Sequence, residues 1–261
     1  MEKKYTFDNL NKKPMLVVSV NDPSAEVMKR IIRAANWEGA DGFLIHLENF
    51  KDRDNPEALK DLFSFAEDKP IMALNYRSHY NEGLSDEELT ELQFKAVEAG
   101  AGCCDVMLDM FDPQPNNNQM TFDEKAVKKQ VEYINQLHKM GSQVLMSCHP
   151  EFLNRHELLD CMKLMEERGA DIAKVSMRTP EEEQMEEGIM GTMHLKKNMN
   201  IPFLHICNGK WGRYHRVFAP VWGSCMILCV QQYTNEFANV EKPLLRAVRD
   251  FYNNFDYKPT R

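Results

Sequence analysis

One lysine stands alone in an apolar run of strand length, Asp171-Ile172-Ala173-Lys174-Val175-Ser176-Met177. Gly169 closes a helical segment before it, and Arg178-Thr179-Pro180 opens a new one after it. Burying an ammonium among Ile172, Val175 and Met177 is costly unless it is paired, which favours the neutral amine. A neutral lysine amine is a nucleophile that condenses with a ketone to a Schiff base, making the carbonyl carbon an electron sink. The plainer alternative is a lysine whose head reaches solvent at the strand end or pairs with a carboxylate. Other residues could serve an imine: His149 as a proton carrier, Glu82 as its charge-balancing partner, and Arg77 or Arg216 as a bidentate holder of a carboxylate. That set suits proton abstraction beside an imine on an anionic substrate. Taken singly, each has a plain reading as well: a satisfied strand-end histidine, surface ion pairs, a solvated glutamate. His46 and Glu48 share one strand face and could suggest a metal pair, but no third ligand follows at a diagnostic spacing, so no metal is expected.

These residues matter only if the fold brings them together. The chain of 261 residues has the length of a single (β/α)8 barrel, for which about 250 is usual, and 43% hydrophobic residues suffice for a sizeable core. A net charge of -8 argues against a nucleic-acid footprint and for a small-molecule substrate. With no membrane-length apolar run and no signal-peptide core after Met1, a cytoplasmic protein without membrane attachment is expected. Seven scattered cysteines without a CxxC read as reduced core thiols.

Residues 1–13 are polar and read as a tail or small cap. Apolar runs at 14–20, 42–47, 70–76, 104–109, 143–147, 171–177, 202–207 and 224–230 read as strands buried on both faces. Helical segments alternate with them: one ending near 36, then 56–66, one opened by the capping signal Ser85-Asp86-Glu87-Glu88, then 122–139, 155–168, 181–197, a short one through 216, and 241–254. A doubly wound sheet would carry a glycine-rich phosphate turn after its first strand, and neither GxGxxG nor GxxxxGK[ST] is present. The expected fold is therefore α/β, one (β/α)8 TIM barrel over residues 1–261.

In such a barrel the active site lies at the C-terminal ends of the strands. Those ends carry His46 and Glu48, then Arg77 and Glu82, Asp109, His149, Lys174, and Lys210, Arg213 and Arg216 after the seventh. One amine, one imidazole, several guanidiniums and several carboxylates converge there.

The order Arg77-Ser78, Ser147-Cys148-His149, Asp171-Ile172-Ala173-Lys174, Gly209-Lys210-Trp211-Gly212 with Arg216, and Val221-Trp222-Gly223-Ser224 resembles type I 3-dehydroquinate dehydratase, from Pro14 to about Ser224. The resemblance implies a (β/α)8 barrel, usually a homodimer, that needs no metal or organic cofactor. It implies Lys174 as the Schiff-base lysine, His149 as the general acid and base, and, with one inserted residue, Glu82 as the partner of His149. It further implies Arg77 as a ligand of substrate hydroxyls and Arg216 as the carboxylate clamp. Departures concern recognition. His46-Leu47-Glu48 stands where the family has Glu-x-Arg, Asp109 replaces a glutamate, Cys148 an asparagine and His215 a serine. The family lid Ser-Ala-Pro-Gly-Gln falls near Asn235-Glu236-Phe237-Ala238-Asn239, which puts Asn239 at the substrate in place of glutamine. A site built to hydrogen-bond particular hydroxyls can lose about 10⁴-fold when partners change.

Three readings follow: a dehydratase making 3-dehydroshikimate from 3-dehydroquinate, an imine-forming lyase on another hydroxylated keto acid, and a noncatalytic sensor of a carboxylated metabolite. The retained lysine and histidine favour the enzymes.

Overall fold

Runs rich in Val, Ile, Leu, Met and Cys form strands that are buried on both faces, as parallel strands joined by helical crossovers require. The computed structural model describes residues 5–8, 10, 13–233 and 240–254. Strands β1 (Met15–Val20), β2 (Gly42–His46), β3 (Ile71–Leu74), β4 (Cys103–Met107), β5 (Gln143–Cys148), β6 (Ile172–Arg178), β7 (Phe203–Asn208) and β8 (Met226–Cys229) pair in parallel in the order β7-β6-β5-β4-β3-β2-β1-β8. Cys225 N–H donates to the Phe203 carbonyl at 2.8 Å, drawing β8 against β7 and nearly closing the ring. Helices α1 (Ala25–Trp37), α2 (Pro56–Ser64), α3 (Asp86–Glu98), α4 (Glu124–Lys139), α5 (Arg155–Glu167), α6 (Glu182–Asn198), α7 (Gly212–Phe218) and α8 (Leu245–Asn253) alternate with them. The chain is a single (β/α)8 TIM barrel.

The strands and helices fall within a few residues of the expected spans, with one informative exception. The last helix begins at Leu245 rather than 241, because 243–244 runs extended against the end of β8. Val230 N–H donates to the Pro243 carbonyl at 3.0 Å, and Leu245 N–H to the Val230 carbonyl at 2.9 Å. Residues 240–242 are thereby held at the mouth of the barrel.

Alternation along each strand divides the core. Outward residues pack under the helices in one large cluster, and inward residues such as Val17, Leu44, Met72, Leu145, Ile172, Leu204 and Leu228 fill the lower barrel. Phe7 and Leu10, from the segment expected to be a polar tail, are buried in that inner cluster. Phe7 N–H donates to Gln143 Oε1 at 2.7 Å, and a Cβ on Gly102 would fall 2.0 Å from the Tyr5 carbonyl oxygen, so this segment crosses the barrel floor where only glycine fits. Toward the C-terminal ends the inward positions turn polar: Ser19, His46, Tyr76, Asp105, Ser147, Lys174 and Asn208. Among the described residues, no helix is long and apolar enough to cross a membrane.

Candidate active site

Lys174 occupies the second inward position of β6, above Ile172, and is 4% exposed. Its Nζ lies 2.9 Å from Asp105 Oδ2, an ion pair between β6 and β4, and donates to the Tyr76 hydroxyl at 2.7 Å. Tyr76 in turn donates to Asp105 Oδ2 at 2.9 Å, and Ser147 Oγ donates to Asp105 Oδ1. The carboxylate supplies the pairing that burial of the ammonium demands; Asp105 and Tyr76 fix the direction of the amine, and Ser147 fixes Asp105. Burial, and then the Asp105 charge, push the Tyr76 phenol well above its ordinary range, so it keeps its proton.

His149 stands edge-on to Tyr76, with its Nε2 3.4 Å from the Tyr76 hydroxyl. Gln119 Oε1 lies 3.1 Å from His149 Nδ1 and accepts from the His149 backbone N–H at 2.9 Å. An amide oxygen can only accept, so the ring proton is on Nδ1 and Nε2 presents a lone pair toward Tyr76. Burial, reinforced by the Lys174 charge and opposed by Asp105, brings His149 down to about 4. The imidazole is therefore neutral at pH 7 and able to take a proton.

Lys174, Tyr76 and His149 border a cavity of about 450 Å³, within the range that holds small ligands. Arg216, from α7, lines its other side. Its Nη2 donates to Asn208 Oδ1 at 2.7 Å and lies 4.0 Å from Glu241 Oε2, while its Nε and Nη1 are buried without a hydrogen-bond partner. Burial lowers this guanidinium to about 10 against the Glu241 charge. His46 also lines the cavity. Its Nδ1 pairs with Glu48 Oε1 at 2.8 Å and its Nε2 with Ser19 Oγ at 3.0 Å. Glu48 lies behind His46, buried, with Oε2 unpartnered. Contrary to expectation, Glu48 does not border the cavity: the turn 47–49 after β2 sets it against His46 Nδ1.

Three further expectations change. Arg77 is committed at the side of the barrel, bidentate to Asp86 at 2.7 and 2.8 Å and bound to Asp109 Oδ1 at 2.9 Å, and neither Arg77 nor Asp109 borders the cavity. The cause is the start of α3: the Ser85–Glu88 capping box places Asp86 beside the guanidinium. Glu82 is exposed, because the helical turn 79–81 directs buried Asn81 inward, where it bonds Asn75 and the Tyr76 carbonyl; Gln119, not Glu82, holds His149. Asn239 lies outside the described residues.

Sequence reasoning missed Asp105, Tyr76, Gln119 and Lys242, the last of which also borders the cavity. Asp105 and Tyr76 had a readable signal, since both sit at inward strand positions and a buried lysine requires an anion. Gln119 lies in a loop with φ 55°, and nothing periodic marks it. Lys242 was placed in a helix that begins three residues later.

The model of type I 3-dehydroquinase matches residues 16–253. The chain belongs to the type I 3-dehydroquinase family. A 3-dehydroquinate dehydratase of Aromatoleum aromaticum is 23% identical over 222 residues, 75% of this chain and 85% of that one. The type I 3-dehydroquinate dehydratase of Clostridium difficile, solved with covalently modified comenic acid, superposes with a TM-score of 0.79 at 18% identity over 97% of this chain and 98% of that one. The Geobacillus kaustophilus 3-dehydroquinate dehydratase gives 0.76 at 17% identity over 94% and 93%. At such identities the structures establish the shared barrel, and the family is one of hydro-lyases.

Proposed function

We propose that the chain dehydrates 3-dehydroquinate to 3-dehydroshikimate through an imine on Lys174. The observation that carries this reading is the convergence of the Lys174 amine with a neutral His149 across Tyr76 at one cavity, in a chain of this family. The Tyr76 hydroxyl turns from Asp105 to His149 Nε2 and passes the amine's extra proton on to the imidazole. Lys174 Nζ adds to the ketone carbon, and His149 returns the proton to the carbinolamine oxygen, which departs as water and leaves an iminium. His149 Nε2 then takes a proton from the adjacent carbon, and the electron pair moves into the iminium to give an enamine. The enamine expels the β-hydroxyl, which His149 protonates to a second water. Hydrolysis of the conjugated iminium consumes one water and frees the lysine, so one water is lost overall. Asp105 holds the amine on line, and the two unpartnered nitrogens of Arg216 suit a substrate carboxylate.

Mass measurement after mixing with 3-dehydroquinate and borohydride tests the reading, because reduction fixes an imine to its lysine. A substrate-sized adduct mapped to Lys174, with Lys174→Met lowering turnover by about 10⁴-fold or more, is expected. Full turnover in that variant would sink it. One observation favours a second reading, the same chemistry on another hydroxylated keto acid: Arg77 is engaged by Asp86 and Asp109, and His46 faces the cavity instead. A substrate panel in which dehydroquinate is fastest would remove it.

A further inference from the structure

Lys242 sits at the cavity beside Arg216, and nothing in the family pattern assigns it a role. Its Nζ donates to Ser19 Oγ at 2.7 Å, the one hydrogen bond this three-donor group makes among the described residues. Ser19 Oγ meets His46 Nε2, and His46 Nδ1 meets Glu48 Oε1. The tautomers close in one direction. Nδ1–H donates to the carboxylate, so Nε2 accepts from the serine hydroxyl, which accepts from the amine. A buried carboxylate with an unpartnered oxygen thus ends a line that begins at Lys242. Two cations with spare donors, Arg216 and Lys242, border the same space. A group carrying one negative charge and two acceptor oxygens satisfies both.

We propose that Lys242 is a substrate-binding residue that holds one carboxylate together with Arg216, and that Ser19, His46 and Glu48 are its positioning residues. The inference deepens the dehydratase reading and rests on it for the identity of the anion. The titratable groups around the amine are His46 at the end of β2 and Glu48 just after it, Lys174 on β6, Arg216 on α7, Cys229 on β8 and Glu241 in the same segment. Burial holds His46 neutral, and burial pushes the Cys229 thiol up to about 12. Burial, with the charges of Arg216 and Lys174, brings Lys242 to about 7 against the pull of Glu48. Among these protein groups the amine is partly protonated at neutral pH. A carboxylate between it and Arg216 favours the ammonium, so binding takes up protons near pH 7.5 and weakens as pH rises further.

Quinate tests this, since it carries a carboxylate and hydroxyls but no ketone and so binds without an imine. Calorimetry of the full chain at pH 7.5 in two buffers of different ionisation enthalpy reads affinity and proton uptake together. Expected are proton uptake by the unmutated protein, and its loss in Lys242→Met with affinity lowered about 10- to 100-fold. Lys242→Arg should restore most of the affinity without proton uptake, because guanidinium stays charged. Lys242→Gln, which keeps a donor for Ser19, should behave as the methionine variant does, separating charge from packing. Absent quinate binding, or binding with the same proton uptake in Lys242→Met, would overturn the proposal. A borohydride adduct on Lys174 without proton-linked quinate binding ends this inference and spares the dehydratase reading. Proton-linked binding without the adduct does the reverse.

Discussion

The two faces of β7 carry buried polar clusters of opposite kind. Outward, His205 and Cys207 meet Thr192 of α6 and His215 of α7. Thr192 Oγ1 donates to the Gly188 carbonyl at 2.9 Å, which leaves it to accept from His205 Nδ1 at 2.8 Å and His215 Nε2 at 3.2 Å. His215 Nδ1 accepts the Cys207 N–H at 3.3 Å, and His205 Nε2 faces Cys207 Sγ at 3.8 Å. Inward, Asn208 bonds Ser176 and Arg216, and there Arg216 and Glu48 keep buried polar atoms without partners. By residue type the outer cluster is the better metal candidate, with two imidazoles and a thiol whose ligand atoms lie within 4.8 Å of one another. Its ring nitrogens are already engaged and burial pushes the Cys207 thiol up to about 12, so it reads as a structural knot. The inner cluster, with unmet donors around a cavity, is the one that calls for a ligand. Residue type nominates a site, and the hydrogen-bond balance decides it.

The largest expected consequence is acid lability from the outer cluster. Burial, reinforced by the Arg216 charge, lowers His215 to about 3, and burial lowers His205 well below its ordinary range. An unfolded imidazole takes its proton near pH 6.5, the native one only near 3, so unfolding binds a proton throughout that window. This histidine contribution is full above pH 6.5 and is lost as pH drops, by about 5 kcal/mol for His215 alone at about 1.4 kcal/mol per pH unit. His149 acts with the same sign between 6.5 and about 4, less strongly for its half-buried position. Urea titrations at pH 7.5, 6, 5 and 4 measure this. A flat stability profile would mean that the two faces do not differ as described.

Arg216→Met comes next and acts on the inner face alone. Losing a buried charge partner of a carboxylate costs about 2–5 kcal/mol, so KM should rise by about 30-fold or more. The borohydride adduct on Lys174 should persist at saturating substrate. A variant that lost kcat and kept KM would place Arg216 with the chemistry rather than with recognition. Gln119→Ala is smaller. Freed from its acceptor, His149 Nδ1 no longer fixes the tautomer, so kcat should fall about tenfold with KM little changed. The limb of the pH–kcat profile set by His149 should move as well. An unchanged profile would remove Gln119 from the reaction.

These residues differ in how far the sequence exposes them. The barrel was legible because eight apolar runs alternate with capped helices, and Lys174 because a charge inside such a run is conspicuous. Asp105 follows from the same logic, yet Asp109 was chosen: both sit at odd positions of one strand-like run, but β4 ends at Met107 and the chain turns before Asp109. Glu82 failed for a similar reason, since one helical turn exchanged it with Asn81. Alternation is reliable inside a strand and void one residue past its end. Gln119 and Lys242 reach the site from irregular backbone, where no period relates position to direction. Function in a barrel is gathered at strand ends, which is where periodicity stops informing.

The smallest expected effect is the sharpest test of the contrast. Thr192→Val keeps the shape of the side chain and removes the hydroxyl that both histidines use. His205 Nδ1 and His215 Nε2 would then be buried without an acceptor, at a cost of about 1–3 kcal/mol. Turnover and quinate affinity should stay at their unmutated values, since β7 keeps its backbone ladder to β6 and Asn208 still bonds Ser176 and Arg216. Chemical denaturation at pH 7.5 reads the loss, and initial rates read its absence from function. Were the rate to fall while stability held, the outer cluster would be acting through α7 on Arg216, whose neighbour His215 it anchors. The two faces of β7 would then be one device rather than two.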